Sequence, residues 1–199
     1  ALSFDPATGR VLLTGDSGFA AVAGGKVIWR DDRAGAADAD PEFAAGGRWA
    51  LMIDDFVYRV RDVATGAVVP LPAASMRLKV AISPDGRHVA AMDEDFRLVV
   101  TEQAAGRPVI DPLPVNDALS FAFDPRGRWL ALATQDSQLK ILDLAGGADR
   151  SVSLSAPLNR DPVPSPDGRF LLLMGDTGLR MIDLDAPAEK AERTLSSGF

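Results

Sequence analysis

The stretch Ser83-Pro84-Asp85-Gly86-Arg87, followed at once by His88-Val89-Ala90-Ala91-Met92, decides the fold. Proline presets φ for the second position of a tight turn, and Asp and Gly tolerate the corner that follows. The apolar run after the turn is too short to cross a membrane. Its apolar side chains stand on consecutive residues rather than alternate ones, the pattern of a strand covered on both faces.

The unit recurs along the whole chain. Gly-Arg pairs stand at Gly9-Arg10, Gly47-Arg48, Gly86-Arg87, Gly127-Arg128 and Gly168-Arg169, with glycines 38, 39, 41 and 41 residues apart. A fixed period in this range means one supersecondary unit per copy. An apolar pair precedes each of three turns (Leu2 and Phe4, Val80 and Ile82, Phe121 and Phe123). The runs VLL, WALMI, HVAAM, WLALA and FLLLM follow the five arginines. A third apolar segment comes next, with Lys140 between Leu139 and Ile141 and Arg180 between Leu179 and Met181. It closes on Asp62, Asp143 or Asp183. Glycine turns lead to a fourth, more polar segment suited to a sheet edge. Four antiparallel strands at this period predict a blade of a β-propeller.

The chain resembles the WD-repeat (tryptophan-aspartate) β-propeller family in a divergent bacterial form. The resemblance rests on SPDGR before the second strand, the buried run after it, and the third-strand endings Val60 to Asp62, Ile141 to Asp143 and Met181 to Asp183. Asp62 to Gly66 (DVATG) matches the turn between third and fourth strands. No copy carries a literal Trp-Asp pair, and Gly-His is absent. The expected fold is therefore all-β: a single propeller domain over residues 1–199, with blades near 1–40, 41–79, 80–119, 120–161 and 162–199. It is either a closed five-blade ring or part of a larger propeller. An excerpt of a longer, multidomain protein is the expectation.

Composition narrows the function. The chain has 28 acidic and 21 basic side chains, a net charge of −7, no cysteine and one histidine. A nucleic-acid footprint needs a basic stripe, and an anionic membrane surface repels such a chain. Without cysteine there is no disulfide, thiolate nucleophile or cysteine-bound zinc. Neither nucleic acid nor membrane is expected as a partner, and a cytoplasmic setting is expected, with the periplasm left open.

Candidate chemistry is sparse. Gly15-Asp16-Ser17-Gly18 matches the string around a serine-protease nucleophile, but such a serine needs a histidine base. The one histidine, His88, falls in the slot that Gly-Arg alignment fills with Val11, Trp49, Trp129 and Phe170. Asp38, Asp40 and Glu42 begin like a calcium loop without its glycine or its distant bidentate Glu. Gly24-Gly25-Lys26 is too short for a phosphate loop. No catalytic residue, metal or cofactor is expected, and the chain reads as non-enzymatic.

Superposing the copies brings out one constellation. The turn between second and third strands is acidic every time: Asp16; Asp54 and Asp55; Asp93, Glu94 and Asp95; Asp136; and Asp176. A ring of like charges attracts a cationic partner, although Asp also suits tight turns. The expected function is a scaffold that binds a protein or peptide with a basic patch through this rim. Trp29 is a possible additional anchor, since interfaces favour Trp. The alternatives are a sensor or regulatory domain of a larger kinase, NTPase or protease, and, further off, a propeller lactonase or hydrolase.

Overall fold

The computed structural model describes residues 2–15, 18–32, 42–44, 46–54, 57–69, 79–92, 95, 97–104, 106–114, 120–134, 136–158 and 160–196. The repeat predicts sheets, and five antiparallel sheets form. The chain divides into two compact units, residues 1–113 and 114–199.

The first unit holds three sheets. Sheet 1 is β1 (Leu2–Asp5), β2 (Arg10–Gly15), β3 (Gly18–Ala23) and β4 (Lys26–Asp31). Sheet 2 is β5 (Glu42–Ala44), β6 (Trp49–Asp54), β7 (Val57–Asp62) and β8 (Val68–Val69). Sheet 3 is β9 (Val80–Ile82), β10 (His88–Met92), β11 (Arg97–Glu102) and β12 (Arg107–Pro108), with β13 (Leu113–Pro114) also pairing with β11. Its fourth strand is split because Pro108, Pro112 and Pro114 lack the N–H that a continuous ladder requires.

The second unit holds two sheets. Sheet 4 is β14 (Ser120–Phe123), β15 (Trp129–Ala133), β16 (Gln138–Asp143) and β17 (Arg150–Ser153). Sheet 5 is β18 (Val163–Pro164), β19 (Phe170–Gly175), β20 (Gly178–Asp183) and β21 (Glu192–Ser196). A single 3-10 turn at Ala188–Lys190 is the one helical element among the described residues. No helix among them is long and apolar enough to cross a membrane.

The turns form as their chemistry requires. Ser83 N–H donates to His88 O (2.9 Å), and Gly86 N–H donates to Ser83 O (2.8 Å). The Asp85 carboxylate accepts from Ser83 Oγ (2.6 Å) and Arg87 N–H (3.0 Å). Ser165 to Phe170 repeats this network with Asp167 as acceptor. All five repeated glycines have positive φ, from 65° to 80°.

The first copy departs from Gly-Arg alignment. Asp5-Pro6-Ala7-Thr8-Gly9-Arg10 is one residue longer than SPDGR, and Gly9 N–H reaches back four residues to Asp5 O (2.9 Å). Asp5 pairs with Arg10, as Ser83 pairs with His88. Arg10, not Val11, therefore occupies the slot of Trp49, His88, Trp129 and Phe170.

With that correction, sheet stacking follows one rule inside each unit. One face, here the leading face, packs on the opposite, trailing face of the next sheet. Leu12, Phe19 and Ala21 lead from sheet 1 onto Ala50 and Met52 of sheet 2. Leu51 and Tyr58 lead from sheet 2 onto Val80, Val89 and Ala91 of sheet 3. In the second unit Ala131, Ala133, Leu139 and Ile141 lead from sheet 4 onto Leu171, Leu173 and Ile182 of sheet 5.

The expected two-faced burial holds for β10 and β15, where four consecutive residues are buried. It does not hold for VLL in β2 or FLLLM in β19, where buried and exposed residues alternate.

Candidate functional site

Each sheet carries the repeated Gly-Arg turn at one end and the acidic turn at the other, because its strands are antiparallel. In sheet 3, His88 sits opposite Glu102 at the first end and Met92 opposite Leu98 at the second.

The Gly-Arg end is rich in fixed charge. The Asp124 side chain is fully buried. It accepts from Arg128 N–H (3.0 Å), Nε (2.7 Å) and Nη2 (2.9 Å). Burial pushes its pKa up, but the Arg128 hydrogen bonds outweigh it and hold it below the ordinary carboxylate value. Arg169 bonds bidentately to Asp183 (3.2 and 3.0 Å), and these hydrogen bonds lower the Asp183 pKa. Hydrogen bonds from Thr8 and Ser165 likewise lower those of Asp5 and Asp167.

Arg169 also stacks over the Phe170 ring, 4.8 Å from the centroid. The Arg48 guanidinium stacks in the same way over the Trp49 ring, 4.5 Å from the centroid. Copy two lacks the turn aspartate, and Asp62 accepts from Ala64 N–H, Thr65 N–H and Thr65 Oγ1. Arg48 and Trp49 form one wall of a cleft of about 420 Å³ between sheets 2 and 3, with Asp85, Arg87, Glu102 and Gln103 on the other. Trp49 Nε1 and the neighbouring His88 Nδ1 are buried without a hydrogen-bond partner. Burial lowers the His88 pKa, against the opposing pull of Asp85 and Glu102, so the ring is neutral at pH 7. The cleft presents charges of both signs together with the Gln103 side chain.

At the acidic end, Asp16, Asp55, Asp93 and Glu94 lie outside the described residues, as do Ser17, Asp38 and Asp40. Asp54 closes β6. Asp95 is exposed and pairs with Arg97 (2.9 Å). Asp136 is exposed and accepts from Thr134 Oγ1. Asp176 is exposed in the turn between Gly175 and Gly178. Among the described residues, no group of three or more His, Asp or Glu is close enough to hold a metal.

Trp29 sits between sheets 1 and 2. Its indole N–H donates to Val63 O (2.8 Å), and Arg61 lies 5.8 Å over its ring. Arg150 makes the corresponding contact in the second unit, donating from both Nη atoms to Leu184 O and Ala186 O. The two are equivalent by register, since Trp29 lies opposite Ala21 and Arg150 opposite Ile141.

Arg180 was not legible as a buried residue. Unlike the exposed Lys140, it is 1% exposed. Its Nη1 donates to Ala156 O (2.9 Å) and Glu192 Oε1 (2.9 Å), and Nη2 donates to Pro157 O (3.2 Å). The signal available in sequence was the proline-rich segment 155–166, whose backbone carbonyls need an external donor.

No family model matches the chain. By sequence, it is 32% identical over 102 residues to Tricorn protease homolog 1 of Streptomyces coelicolor, an alignment covering 49% of this chain and 10% of that protein. The chain thus spans about a tenth of the length of this curated relative. By structure, it is similar to a protein of unknown function from Desulfotomaculum acetoxidans (TM-score 0.65, 13% identity, 92% of this chain and 64% of that one). It is also similar to dihydro-heme d1 dehydrogenase NirN in complex with DHE (TM-score 0.63, 24% identity, 98% and 45%). These structural likenesses concern the fold. None of the three carries a WD-repeat name; what they support together with the repeated sheets is a propeller-like fold. The expectation of a non-enzymatic chain is corrected here, because the sequence match is to a protein named as a protease homolog.

Proposed function

We propose that this chain is a propeller segment, of the WD-repeat type in its turns and strands, that captures polypeptide for a longer protease-like protein. The observation that carries this reading is the 32% match to a Tricorn protease homolog across about half the chain. A protease acts on polypeptide, and a rigid stack of sheets with exposed turns is a natural platform for holding one. The net charge of −7 and the exposed Asp95, Asp136 and Asp176 favour basic segments. Attraction of this kind acts mainly on the association rate and falls with salt.

The test is fluorescence anisotropy of an arginine- and lysine-rich peptide against the 199-residue chain at low and high salt. Binding is expected to weaken with salt. Replacing Asp95, Asp136 and Asp176 together by Asn is expected to weaken it by roughly tenfold, at a few tenths to one kcal/mol per exposed charge. Equal affinity of the wild type and the triple variant at both salt concentrations would contradict the reading.

A further inference from the structure

The cleft between sheets 2 and 3 lies wholly inside the first unit, and it holds hydrogen-bonding groups that the fold leaves unused. Arg48 is the clearest. Of the other repeated arginines, Arg10 donates to Gly47 O (3.3 Å) and Arg87 stands 3.7 Å from the Asp85 carboxylate. Arg128 and Arg169 are locked on Asp124 and Asp183. The Arg48 guanidinium alone makes no hydrogen bond or ion pair with the described residues. It is exposed and held by its stack on Trp49.

Two further donors stand beside it. Trp49 is 8% exposed and lines the cleft, and its indole N–H is buried without an acceptor. Gln103 is half-buried, and its backbone N–H donates to Arg87 O (2.7 Å), which fixes the residue at the cleft wall. No described residue bonds its side-chain amide. A buried donor left unsatisfied costs stability, so its place beside an unpaired guanidinium calls for an acceptor from outside.

The acceptors within the cleft are already engaged. Asp85 accepts from Ser83 Oγ and Arg87 N–H, and Glu102 stands 3.8 Å from Arg107. What remains is one cation without a counter-charge. A single negative charge balances it. A doubly charged phosphate would also face Asp85 and Glu102 on the opposite wall, and like charges brought together are costly. The guanidinium fork matches a carboxylate through two parallel hydrogen bonds. Its stack on Trp49 limits the side-chain entropy lost on binding. At about 420 Å³ the cleft suits a small ligand or a short peptide segment.

We propose that the Arg48–Trp49 cleft is a carboxylate site that seats an acidic side chain, Asp or Glu, of a polypeptide ligand. Arg48 is its bidentate partner, and the Gln103 amide is a further donor. The site is at the Gly-Arg end of the sheets, away from the acidic turns, and does not rest on the capture of basic segments there.

A heteronuclear NMR titration of the chain, followed at its indole N–H signals, tests this. The Trp49 signal is identified by its loss in Trp49→Phe. The probes are Ala-Glu-Ala blocked at both ends, its Ala-Gln-Ala counterpart, acetylated tri-alanine with a free carboxyl terminus, and inorganic phosphate. Blocked Ala-Glu-Ala is expected to shift the Trp49 signal to saturation and to leave Trp129 in place. Ala-Gln-Ala is expected to bind about tenfold more weakly, the scale of a hydrogen bond to a charged group. Arg48→Gln changes an exposed side chain, so the variant is expected to fold and to weaken Ala-Glu-Ala by a similar factor. A Trp49 signal that Ala-Glu-Ala does not move, equal affinity for the Glu and Gln peptides, or unchanged affinity in Arg48→Gln would overturn the proposal. So would tighter binding of phosphate or of the terminal carboxylate of tri-alanine.

Discussion

The junction between sheets 1 and 2 and the junction between sheets 4 and 5 follow one plan with different parts. In the first, Trp29 donates one hydrogen bond to the carbonyl that follows Asp62. In the second, Arg150 donates to the carbonyl that follows Asp183 and to a second carbonyl two residues on. In the first, Asp5 is held by Thr8, and a Cβ added to Gly47 would lie 2.0 Å from an Asp5 carboxylate oxygen. In the second, Asp124 is locked by Arg128, and a Cβ added to Gly168 would lie 2.1 Å from the carboxylate and 2.3 Å from the guanidinium. The fold demands a donor and a close approach at each place. It does not specify which side chain supplies them.

The largest expected effect concerns a buried cation in the second unit. Arg180 is a buried cation tied to Glu192 and to the backbone of the segment before sheet 5. Replacing it by alanine leaves Glu192 and two carbonyls short of a donor. The expected loss is about 3 kcal/mol, read as a lower midpoint in urea denaturation. A midpoint unchanged in Arg180→Ala would show that the segment holds itself.

The glycine pair sharpens the comparison. Gly168→Ala is expected to cost about 2 kcal/mol, because φ is positive and the blocking carboxylate is held by three hydrogen bonds. Gly47→Ala is expected to cost less, because Asp5 has fewer bonds to lose when it moves. Thermal melts of the two variants check the order, and a reversed order would break the parallel. The clamps come next: Arg150→Ala is expected to cost about 1 kcal/mol, the scale of a lost hydrogen bond.

Acid is the mildest probe. Asp124 and Asp183 have pKa values below the ordinary carboxylate value, so they stabilise the fold above that value, and their contribution is lost as pH falls through the lowered ones. The His88 pKa is also lowered. Its contribution is present above the ordinary histidine value of about 6.5 and fades as pH drops below it. His88→Phe is therefore expected to flatten the stability profile between about pH 7 and pH 5, measured by denaturation at each pH, while leaving the carboxylate-driven loss below about pH 4 in place.

Much of the fold was legible in the chain. The Gly-Arg period located five sheets, and the proline and glycine positions located their turns. What escaped were features set by pairing across distance. The one-residue excess in Asp5 to Arg10 shifts the first copy's slot, and only register shows that Arg10 rather than Val11 fills it. Arg180 sits where polar and apolar residues alternate, yet the neighbouring segment draws it inward. The clamps join residues 34 positions apart and differ in chemistry between copies, so no repeated letter marks them.

The central claim is that, inside each unit, each sheet packs one named face on the next. Methionine oxidation by peroxide, followed residue by residue with mass spectrometry on dilute native protein, tests it most directly. Met52, 2% exposed on a face covered inside its unit, is expected to resist, and Met174, 39% exposed and on the face of β19 opposite the one packed on sheet 4, to react quickly. Equal rates at Met52 and Met174 in the folded chain would contradict the account.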